Sequence, residues 1–379
     1  MTDGSIDLIS AGHICLDLTP RFPNVGTDRP FEKLLRPGSL SIVGPATIST
    51  GGGAANVGLS ALRLGFRVAM MGKCGDDLLG GALLEVLRRF SPAAAEGMRV
   101  APGEHTSYTV VLAVPGADRL FLHCPGANDT FAAEDIDVDL VARAKVFYFG
   151  YPPLMARMYA DDGRELADIF RTVKHRGVTT ALDMAVPDPH SPAGRADWPA
   201  ILTAVLPHVD LFVPSVEELT FMLRRERFDE MSAHGDILDQ LSAELLRDLS
   251  GACLDLGAAA VVIKCGRHGL YARGGPAGRI RAMGSAAPAD ASAWADRELF
   301  APSFVVDHVV SATGAGDSAV AGFLGAVIRG LDLSTAADCA CAVGAQNVTA
   351  MDTTSGVRTW TETLAMLSAP RVPVVVDLR

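Results

Sequence analysis

Short apolar runs alternate along the chain with longer stretches in which apolar residues recur every three or four positions. The short runs are bounded by glycine, proline or aspartate and read DLISAG, RVAMMG, AKVFYFG, VTTALDM, VDLFVP and AAVVIKCG. Runs of this length are typical of buried strands, and the stretches between them are typical of amphipathic helices. The alternation predicts an α/β fold with three α/β/α layers, in which helices cover both faces of a mostly parallel sheet. Ligands should then gather beyond the carboxyl ends of the strands.

Two early segments, residues 15–48 and 106–125, depart from this rhythm. The second reads SYTVVLAV, a PGAD turn and RLFLHC, which predicts a β-hairpin. A late segment, residues 272–304, is rich in alanine, glycine and proline and predicts an extended loop between late strands. Its length suits a loop that borders a ligand as well as a disordered or oligomer-contacting insert.

The composition is compatible with a soluble enzyme and adds little more. The chain has 379 residues, 49% of them hydrophobic, a formal net charge of −11 and seven cysteines. The acidic balance without a Lys/Arg cluster argues against nucleic-acid and anionic-membrane partners. No apolar run approaches the ~20 residues of a membrane span, and the N-terminus lacks a positively charged leader, so we expect a cytoplasmic protein. The odd, scattered cysteines do not suggest a disulfide framework, and the scattered histidines do not suggest a zinc site.

The segment TGAGDSAVAGFLGAVIRG, residues 313–330, carries the most chemistry. Gly314, Ala315 and Gly316 leave backbone N–H groups unshielded at the start of an amphipathic helix, where an anion is attracted. Asp317 follows directly, and a carboxylate beside a phosphate is useful if it takes a proton from an attacking hydroxyl. An ordinary N-terminal capping aspartate is the alternative.

A second glycine-rich helix start, STGGGAANVGLSALRLG, occupies residues 49–65. With GKCGDDLLG (72–80), PGAND (125–129) and VVIKCGRHGLY (261–271), this pair resembles the ribokinase-like carbohydrate kinases, the PfkB family. The resemblance covers nearly the whole chain. It implies that the first segment grips the phosphate-accepting substrate and the second provides the anion hole and the catalytic base, Asp317.

The resemblance also implies residues that bind the acceptor. Asp17 matches an acidic residue that binds sugar hydroxyls, and a carboxylate can accept hydrogen bonds from two adjacent hydroxyls. An aspartate that caps a turn is the alternative for Asp17 and for Asp183. The full acceptor-binding set implied is Asp17, Gly51, Gly52, Asn56, Asn128 and Asp183.

On the nucleotide side, the resemblance implies contacts from Ser215, Lys264, Gly266, Gly269 and Thr313. Glu218 in PSVEEL resembles the acidic end of the family's Asn-x-x-Glu motif, which organises Mg²⁺ through water, and Ser215 replaces the Asn. A helix-start glutamate and a tight glycine bend are the alternatives for Glu218 and the Gly266–Gly269 turn. Ser311 replaces a family aspartate that helps bind a monovalent cation, which argues against potassium activation.

In the family, segments at the two irregular places form a β-sheet lid that is often used for dimer contacts. The implied division is an α/β core of residues 1–14, 49–105 and 126–379, and a discontinuous lid of residues 15–48 and 106–125. A lid is useful because water competes with the acceptor for the γ-phosphoryl group of ATP. The lid also offers a surface for a homodimer.

We therefore predict ATP-dependent phosphorylation of an alcohol group on a sugar or sugar-like molecule. An adenosine-type nucleoside kinase is the alternative within the family, for which stacking aromatics are available at Phe22, Phe31, Tyr108 and Phe121. A phosphorylated acceptor would need a basic residue such as Arg21, Arg29 or Arg119 to point inward. Outside this chemistry, a non-catalytic sugar sensor on the same fold stays open. A nicotinamide-dependent dehydrogenase is disfavoured because Gly51-x-Gly53-x-x-Asn56 lacks the third glycine.

Overall fold

A computed structural model describes residues 5–24, 26, 30–117 and 119–378 of the chain. Its strands are, in chain order, β1 (Ile6–Gly12), β2 (Cys15–Pro20), β3 (Ala46–Gly51), β4 (Val68–Met71), β5 (Lys73–Gly75), β6 (Arg99–Ala101), β7 (Tyr108–Leu112), β8 (Leu120–Cys124), β9 (Ala144–Gly150), β10 (Thr179–Leu182), β11 (Leu211–Phe212), β12 (Ala260–Lys264), β13 (Gly269–Gly274) and β14 (Glu298–Pro302). Its α-helices are α1 (Pro30–Leu34), α2 (Gly53–Arg63), α3 (Leu78–Phe90), α4 (Val138–Val141), α5 (Ala156–Tyr159), α6 (Arg164–His175), α7 (Trp198–Val205), α8 (Val216–Leu223), α9 (Arg225–Ala233), α10 (Ala243–Asp255), α11 (Ala277–Arg281), α12 (Ala315–Ile328), α13 (Leu333–Asn347) and α14 (Trp360–Met366).

The six apolar runs form the parallel part of a large sheet. The strand order is β14-β13-β12-β11-β10-β9-β1-β4, and the six strands from β12 to β4 run parallel. β13 and β14 are antiparallel additions at one edge. The predicted mostly parallel sheet is confirmed. Side chains from β9, β10 and β12 are nearly all buried, as expected for strands covered on both faces.

Helices cover both faces of this sheet and give the chain two apolar clusters. One cluster packs α6, α7, α8 and α10 against the sheet, around residues such as Phe147 and Phe170. The other packs α2, α12 and α13 against the opposite face, around residues such as Val57 and Phe323. Among the described helices, none combines the length and the apolar character that a membrane crossing requires.

A separate small sheet contains β3, β2, β7 and β8 in that order. β7 and β8 pair antiparallel, which confirms the predicted hairpin, and β2 joins them through a parallel pairing with β7. Asp17 lies opposite Thr109, and Thr109 lies opposite His123, so these side chains form one row across the sheet. β3 begins at Ala46 and ends at Gly51, directly before α2, so the small sheet is continuous with the first glycine-rich helix start.

The expectation of an extended loop over residues 272–304 is wrong. The segment contains the end of β13, helix α11 and the edge strand β14. Ile280, Met283 and Trp294 are buried in the cluster around Phe323, and Trp294 packs edge to face on that ring. The three side chains pack the segment against the core, although its overall composition is rich in alanine and glycine.

Candidate active site

The second glycine-rich segment starts α12 beside a cavity of about 390 Å³. Gly314 caps the helix with φ 77° and ψ 0°, a left-handed conformation that favours glycine. A Cβ atom there would lie 2.7 Å from the Cβ of Thr353, so space also requires glycine. Gly314 and Gly316 line the cavity, whereas the Ala315 amide donates to the Ala312 carbonyl at 3.2 Å.

Asp317 connects the two glycine-rich segments. It lies in the first turn of α12, is 4% exposed and lines the same cavity. Its Oδ2 accepts a hydrogen bond of 2.9 Å from Asn56 Nδ2 in α2, and its Oδ1 accepts one of 2.7 Å from the hydroxyl of Tyr151. Burial raises the pKa of Asp317, although the Tyr151 hydrogen bond and the Lys264 ammonium oppose the shift. A buried carboxylate with a raised pKa suits a general base.

The ammonium of Lys264, at the end of β12, lies 2.5 Å from Asp183 Oδ1. Burial alone would lower the pKa of Lys264, but the carboxylates of Asp183 and Glu218 outweigh it and raise the pKa above its ordinary value. Lys264 therefore stays protonated beside Gly316, where it can meet a phosphate.

Ser215 and Glu218 start helix α8 with reciprocal hydrogen bonds. Glu218 Oε2 accepts from the Ser215 amide at 2.6 Å, and Ser215 Oγ accepts from the Glu218 amide at 3.2 Å. Both residues line the cavity with Glu217. The carboxylates of Glu217 and Glu218 supply oxygen donors of the kind that Mg²⁺ prefers.

An adjoining cavity of about 550 Å³ is mostly apolar. It shares Lys264, Gly266 and Gly316 with the first cavity and continues over Phe304, Val309 and Ala345. A polar cavity at a helix start, joined to an apolar cleft, matches the phosphate and base ends of a nucleotide.

On the other side of Asp317, the small sheet meets the start of α2. Gly51 faces Asp17 so closely that a Cβ atom at Gly51 would lie 2.5 Å from Asp17 Oδ2. His13, at the end of β1, is 2% exposed, and its Nε2 lies 3.3 Å from Nε2 of His123 in β8. Asp17 and the two histidines thus place polar groups beside the first glycine-rich segment.

Arg119 links the hairpin of the small sheet to the second glycine-rich segment. Its Nη1 donates to Thr313 Oγ1 at 2.7 Å, and its Nη2 donates to Ser311 Oγ at 3.0 Å and to the Met351 carbonyl at 3.2 Å. The guanidinium therefore donates hydrogen bonds to neutral oxygens close to Gly314. It connects the small sheet with the start of α12.

Comparison with known proteins identifies this arrangement. Residues 25–360 match the sequence model described as pfkB family carbohydrate kinase. The chain belongs to the pfkB family of carbohydrate kinases. It is similar to probable fructokinase-4 of Arabidopsis thaliana, with 25% identity over 60% of this chain and 64% of the relative. It is also similar to fructokinase-2 of Oryza sativa subsp. japonica, with 25% identity over 65% of this chain and 68% of that relative.

Solved structures support the fold. The ribokinase of Arabidopsis thaliana, complexed with ribose and ATP, superposes with a TM-score of 0.67 at 17% identity. The superposition covers 96% of this chain and 99% of the ribokinase. The ribokinase-like fold predicted from the sequence is therefore confirmed for this pfkB family member.

The structure brings many of the predicted site residues of this pfkB kinase together. Those that line the first cavity are Ser215, Glu218, Lys264, Gly266, Gly314, Gly316 and Asp317. Asn56 joins them through its bond to Asp317, and Ala315 and Gly269 line the apolar cleft. Thr313 contacts Arg119 before the helix start.

Other predicted residues make internal contacts. Asn128 is fully buried, and its side chain exchanges hydrogen bonds with the backbone N–H and C=O of Ile14. Asp183 is fully buried beneath Lys264, and its Oδ1 also accepts from the Met184 amide at 2.8 Å. A Cβ atom at Gly52 would lie 2.5 Å from His13 Nδ1, so Gly52 packs against that ring. Arg29 lies outside the described residues.

Sequence reasoning missed Tyr151, His13 and His123. Tyr151 follows β9 directly and therefore lies where the carboxyl ends of parallel strands place ligand-binding residues. His13 follows β1 in the same way. His123 carried no such signal, because its place beside His13 depends on how the small sheet lies on the large one.

Proposed function

We propose that the protein transfers the γ-phosphoryl group of ATP to an alcohol group of a sugar or sugar-like molecule. The observation that carries this proposal is the convergence on Asp317. The Asp317 carboxylate is buried at the start of α12 and accepts a hydrogen bond from Asn56 of the other glycine-rich segment. It lines the same cavity as Gly314, Gly316 and Lys264. Membership of a carbohydrate kinase family supports the same chemistry.

Asp317 acts as the general base in this proposal. It takes the proton of the acceptor hydroxyl as that oxygen forms a bond to the γ-phosphorus. The bond between the γ-phosphorus and the oxygen bridging to the β-phosphate breaks, and ADP leaves. The backbone amides of Gly314 and Gly316, together with the Lys264 ammonium, stabilise the charge on the transferring group, whereas the Ala315 amide already donates to the Ala312 carbonyl.

The apolar cleft suits the adenine ring, and the polar cavity suits the phosphates. Gly266 and Gly269 line the apolar cleft, while Ser215 and Lys264 line the phosphate side. The ribokinase similar to this chain binds ATP, which supports this assignment. The acidic wall at Glu217 and Glu218 would repel a triphosphate without a cation, and it fits Mg²⁺ held by Glu218 through water. The ion would neutralise phosphate charge.

On the acceptor side, we assign hydroxyl binding to Asp17 and the backbone at Gly51 and Gly52, with Asn56 beside the base. Arg119 points toward the site, and its described contacts are with hydroxyl and carbonyl oxygens near the nucleotide end. This placement favours an unphosphorylated acceptor. The fructokinases similar to this chain support a sugar.

An adenosine-type nucleoside is the second candidate acceptor. Phe121 lies two residues before His123 in β8, on the same face of the small sheet, and is 54% exposed. An aromatic ring on that face could stack on a base. Activity measured with free sugars and with nucleosides as acceptors separates the two candidates.

The small sheet is our candidate for the lid over the acceptor, with the core and lid boundaries given above. Its exposed Ile48, Leu120 and Leu122 supply apolar surface for a homodimer. Arg119 donates to Ser311 Oγ, so a guanidinium already meets the residue that replaces the family aspartate, and we expect no potassium requirement. The cytoplasmic location and the absence of nucleic-acid and membrane partners stay predictions.

The test compares wild type, Asp317→Asn and the control Asp332→Asn with Mg·ATP and a panel of free sugars, sugar acids, sugar phosphates and nucleosides. Asp332 caps α13, and asparagine also serves at that position. ADP formation should depend on one acceptor class and fall by roughly 10²–10⁴ in Asp317→Asn alone. Near-normal turnover in Asp317→Asn would contradict the role of Asp317. ATP binding without turnover across the panel would favour a non-catalytic sensor.

A further inference from the structure

The hydroxyl of Tyr151 holds one oxygen of Asp317, and the amide of Asn56 holds the other. The two hydrogen bonds are 2.7 Å and 2.9 Å long. Burial and the nearby Asp317 carboxylate raise the pKa of Tyr151 well above its ordinary value. The phenol therefore keeps its proton and donates a hydrogen bond to Asp317. With one bond on each oxygen, the carboxylate is fixed in orientation and still has lone pairs for a substrate hydroxyl.

Tyr151 adopts an unfavourable backbone conformation to make this contact. Its φ of 66° and ψ of 47° lie in the left-handed region, which costs a residue other than glycine about 1–3 kcal/mol. Such strain persists where the surroundings determine it, and it concentrates at functional sites.

The neighbouring glycines leave room for the ring. A Cβ atom at Gly53 would lie 3.1 Å from Tyr151 Cδ1, so the start of α2 approaches the ring as closely as glycine permits. Gly150 precedes Tyr151, and a Cβ atom there would lie 3.0 Å from the Cα of Gly53. The strained turn and the close helix start together direct the hydroxyl at Asp317.

We propose that Tyr151 is a positioning residue, whose hydroxyl orients the Asp317 carboxylate toward the acceptor hydroxyl. This inference rests on the proposed role of Asp317 as the base. Tyr151 itself neither gives up its proton nor receives the phosphoryl group in this scheme.

The hydrogen bond should also set the pH at which the base becomes active. A donor to the ionised form favours that form, so its loss should raise the pKa of Asp317. Lys264 and the Asn56 amide act in the same direction as Tyr151, whereas Glu218 opposes them. Asp183 and Tyr148 also interact with Asp317. The change from tyrosine to phenylalanine at position 151 leaves all of these residues in place.

The experiment compares pH–rate profiles of wild type and Tyr151→Phe with the acceptor found in the panel. A hydrogen bond to a charged group is strong enough that we expect kcat to fall about 10- to 100-fold, with the KM for ATP unchanged. The acid limb of the profile should move to higher pH. The matched control is Tyr271→Phe, because Tyr271 is also buried and its hydroxyl donates to a carboxylate, Glu298, at 3.0 Å. That variant should keep the wild-type acid limb.

The results distinguish the proposal that Asp317 is the base from the proposal that Tyr151 positions it. Loss of activity in Asp317→Asn with an unchanged profile in Tyr151→Phe would overturn the positioning role alone. Normal activity in Asp317→Asn would overturn the proposed base as well. If Tyr151→Phe does not fold, 3-fluorotyrosine placed at position 151 provides the second measurement. Its fluorine chemical shift should change with pH over the range of the acid limb, and this change should disappear when Asp317→Asn is added. A chemical shift that does not depend on pH over that range would overturn the inference.

Discussion

The Lys264 ammonium lies 2.5 Å from the Asp183 carboxylate, in a pair whose acidic member is fully buried. Asp183 follows β10 and Lys264 ends β12, so the pair connects the carboxyl ends of two strands of the large sheet. Lys264 also lines both cavities. Asp183 therefore serves this site by fixing the ammonium, whether or not it touches a ligand itself.

Lys264→Met should lower the free energy of unfolding by about 3–5 kcal/mol at pH 8, because it leaves Asp183 buried without its partner. Burial raises the pKa of Asp183 even beside Lys264. A raised pKa in the folded state means that the variant should regain stability as the pH falls from 8 to 6, since the carboxyl group can then be protonated. Urea unfolding at both pH values measures this.

The double variant Lys264→Met/Asp183→Asn is the control, since it removes the unpaired charge. It should be more stable at pH 8 than Lys264→Met and less dependent on pH. Equal losses at both pH values in the single variant would mean that the pair contributes through packing instead of charge.

Gly51→Ala should weaken acceptor binding. The added Cβ atom would lie 2.5 Å from Asp17 Oδ2, and Gly51 is held by its pairing with Cys15 in β2. The Asp17 carboxylate must move, so we expect the KM for the acceptor to rise by roughly tenfold or more, equivalent to ~1.4 kcal/mol. The KM for ATP should not change. Steady-state kinetics with each substrate varied in turn measures both constants.

Gly81→Ala is the matched control, because position 81 lies in α3 with no heavy atom within 4 Å of an added Cβ. It should leave both KM values unchanged and stabilise the fold by about 0.5–1 kcal/mol, the gain expected for alanine in a helix. An acceptor KM in Gly51→Ala that matches this control would remove Asp17 from the acceptor site.

Much of the large sheet was predictable, because strands buried on both faces are short, apolar and separated by turn residues. The strand β14 was missed because it lies at the edge of the large sheet and carries few apolar residues. The sequence of β14, ELFAP, also follows a segment rich in alanine and glycine. Asn56 and Asp317 are 261 residues apart, so local patterns could not predict their hydrogen bond. The resemblance of two glycine-rich segments to one family linked them. The place of Tyr151 directly after a strand is a signal for ligand binding, but the left-handed turn that directs its hydroxyl at Asp317 is rare for tyrosine and has no local signal.

Arg119→Met should loosen the contact between the small sheet and the second glycine-rich segment. It removes the bonds to Thr313 Oγ1 and Ser311 Oγ while keeping an unbranched apolar stem. If the small sheet excludes water, ATP hydrolysis without acceptor should rise relative to acceptor phosphorylation. ADP release with and without the acceptor gives this ratio. Arg88→Met, at an exposed position of α3, should leave the ratio unchanged, and an equal ratio in both variants would contradict a closing role for Arg119.

His13 should make the fold sensitive to acid. Burial lowers the pKa of His13 to about 3, and the unfolded chain should have a histidine pKa near ~6.5. Between these values the unfolded state binds more protons, so the free energy of unfolding should fall as the pH decreases, by up to ~1.4 kcal/mol per pH unit from this residue. Urea unfolding from pH 7.5 to 4.5 should therefore show a shallower pH dependence for His13→Gln than for wild type. His234→Gln changes an exposed histidine and should follow wild type, and a His13→Gln curve parallel to it would show that folding does not lower the pKa of His13.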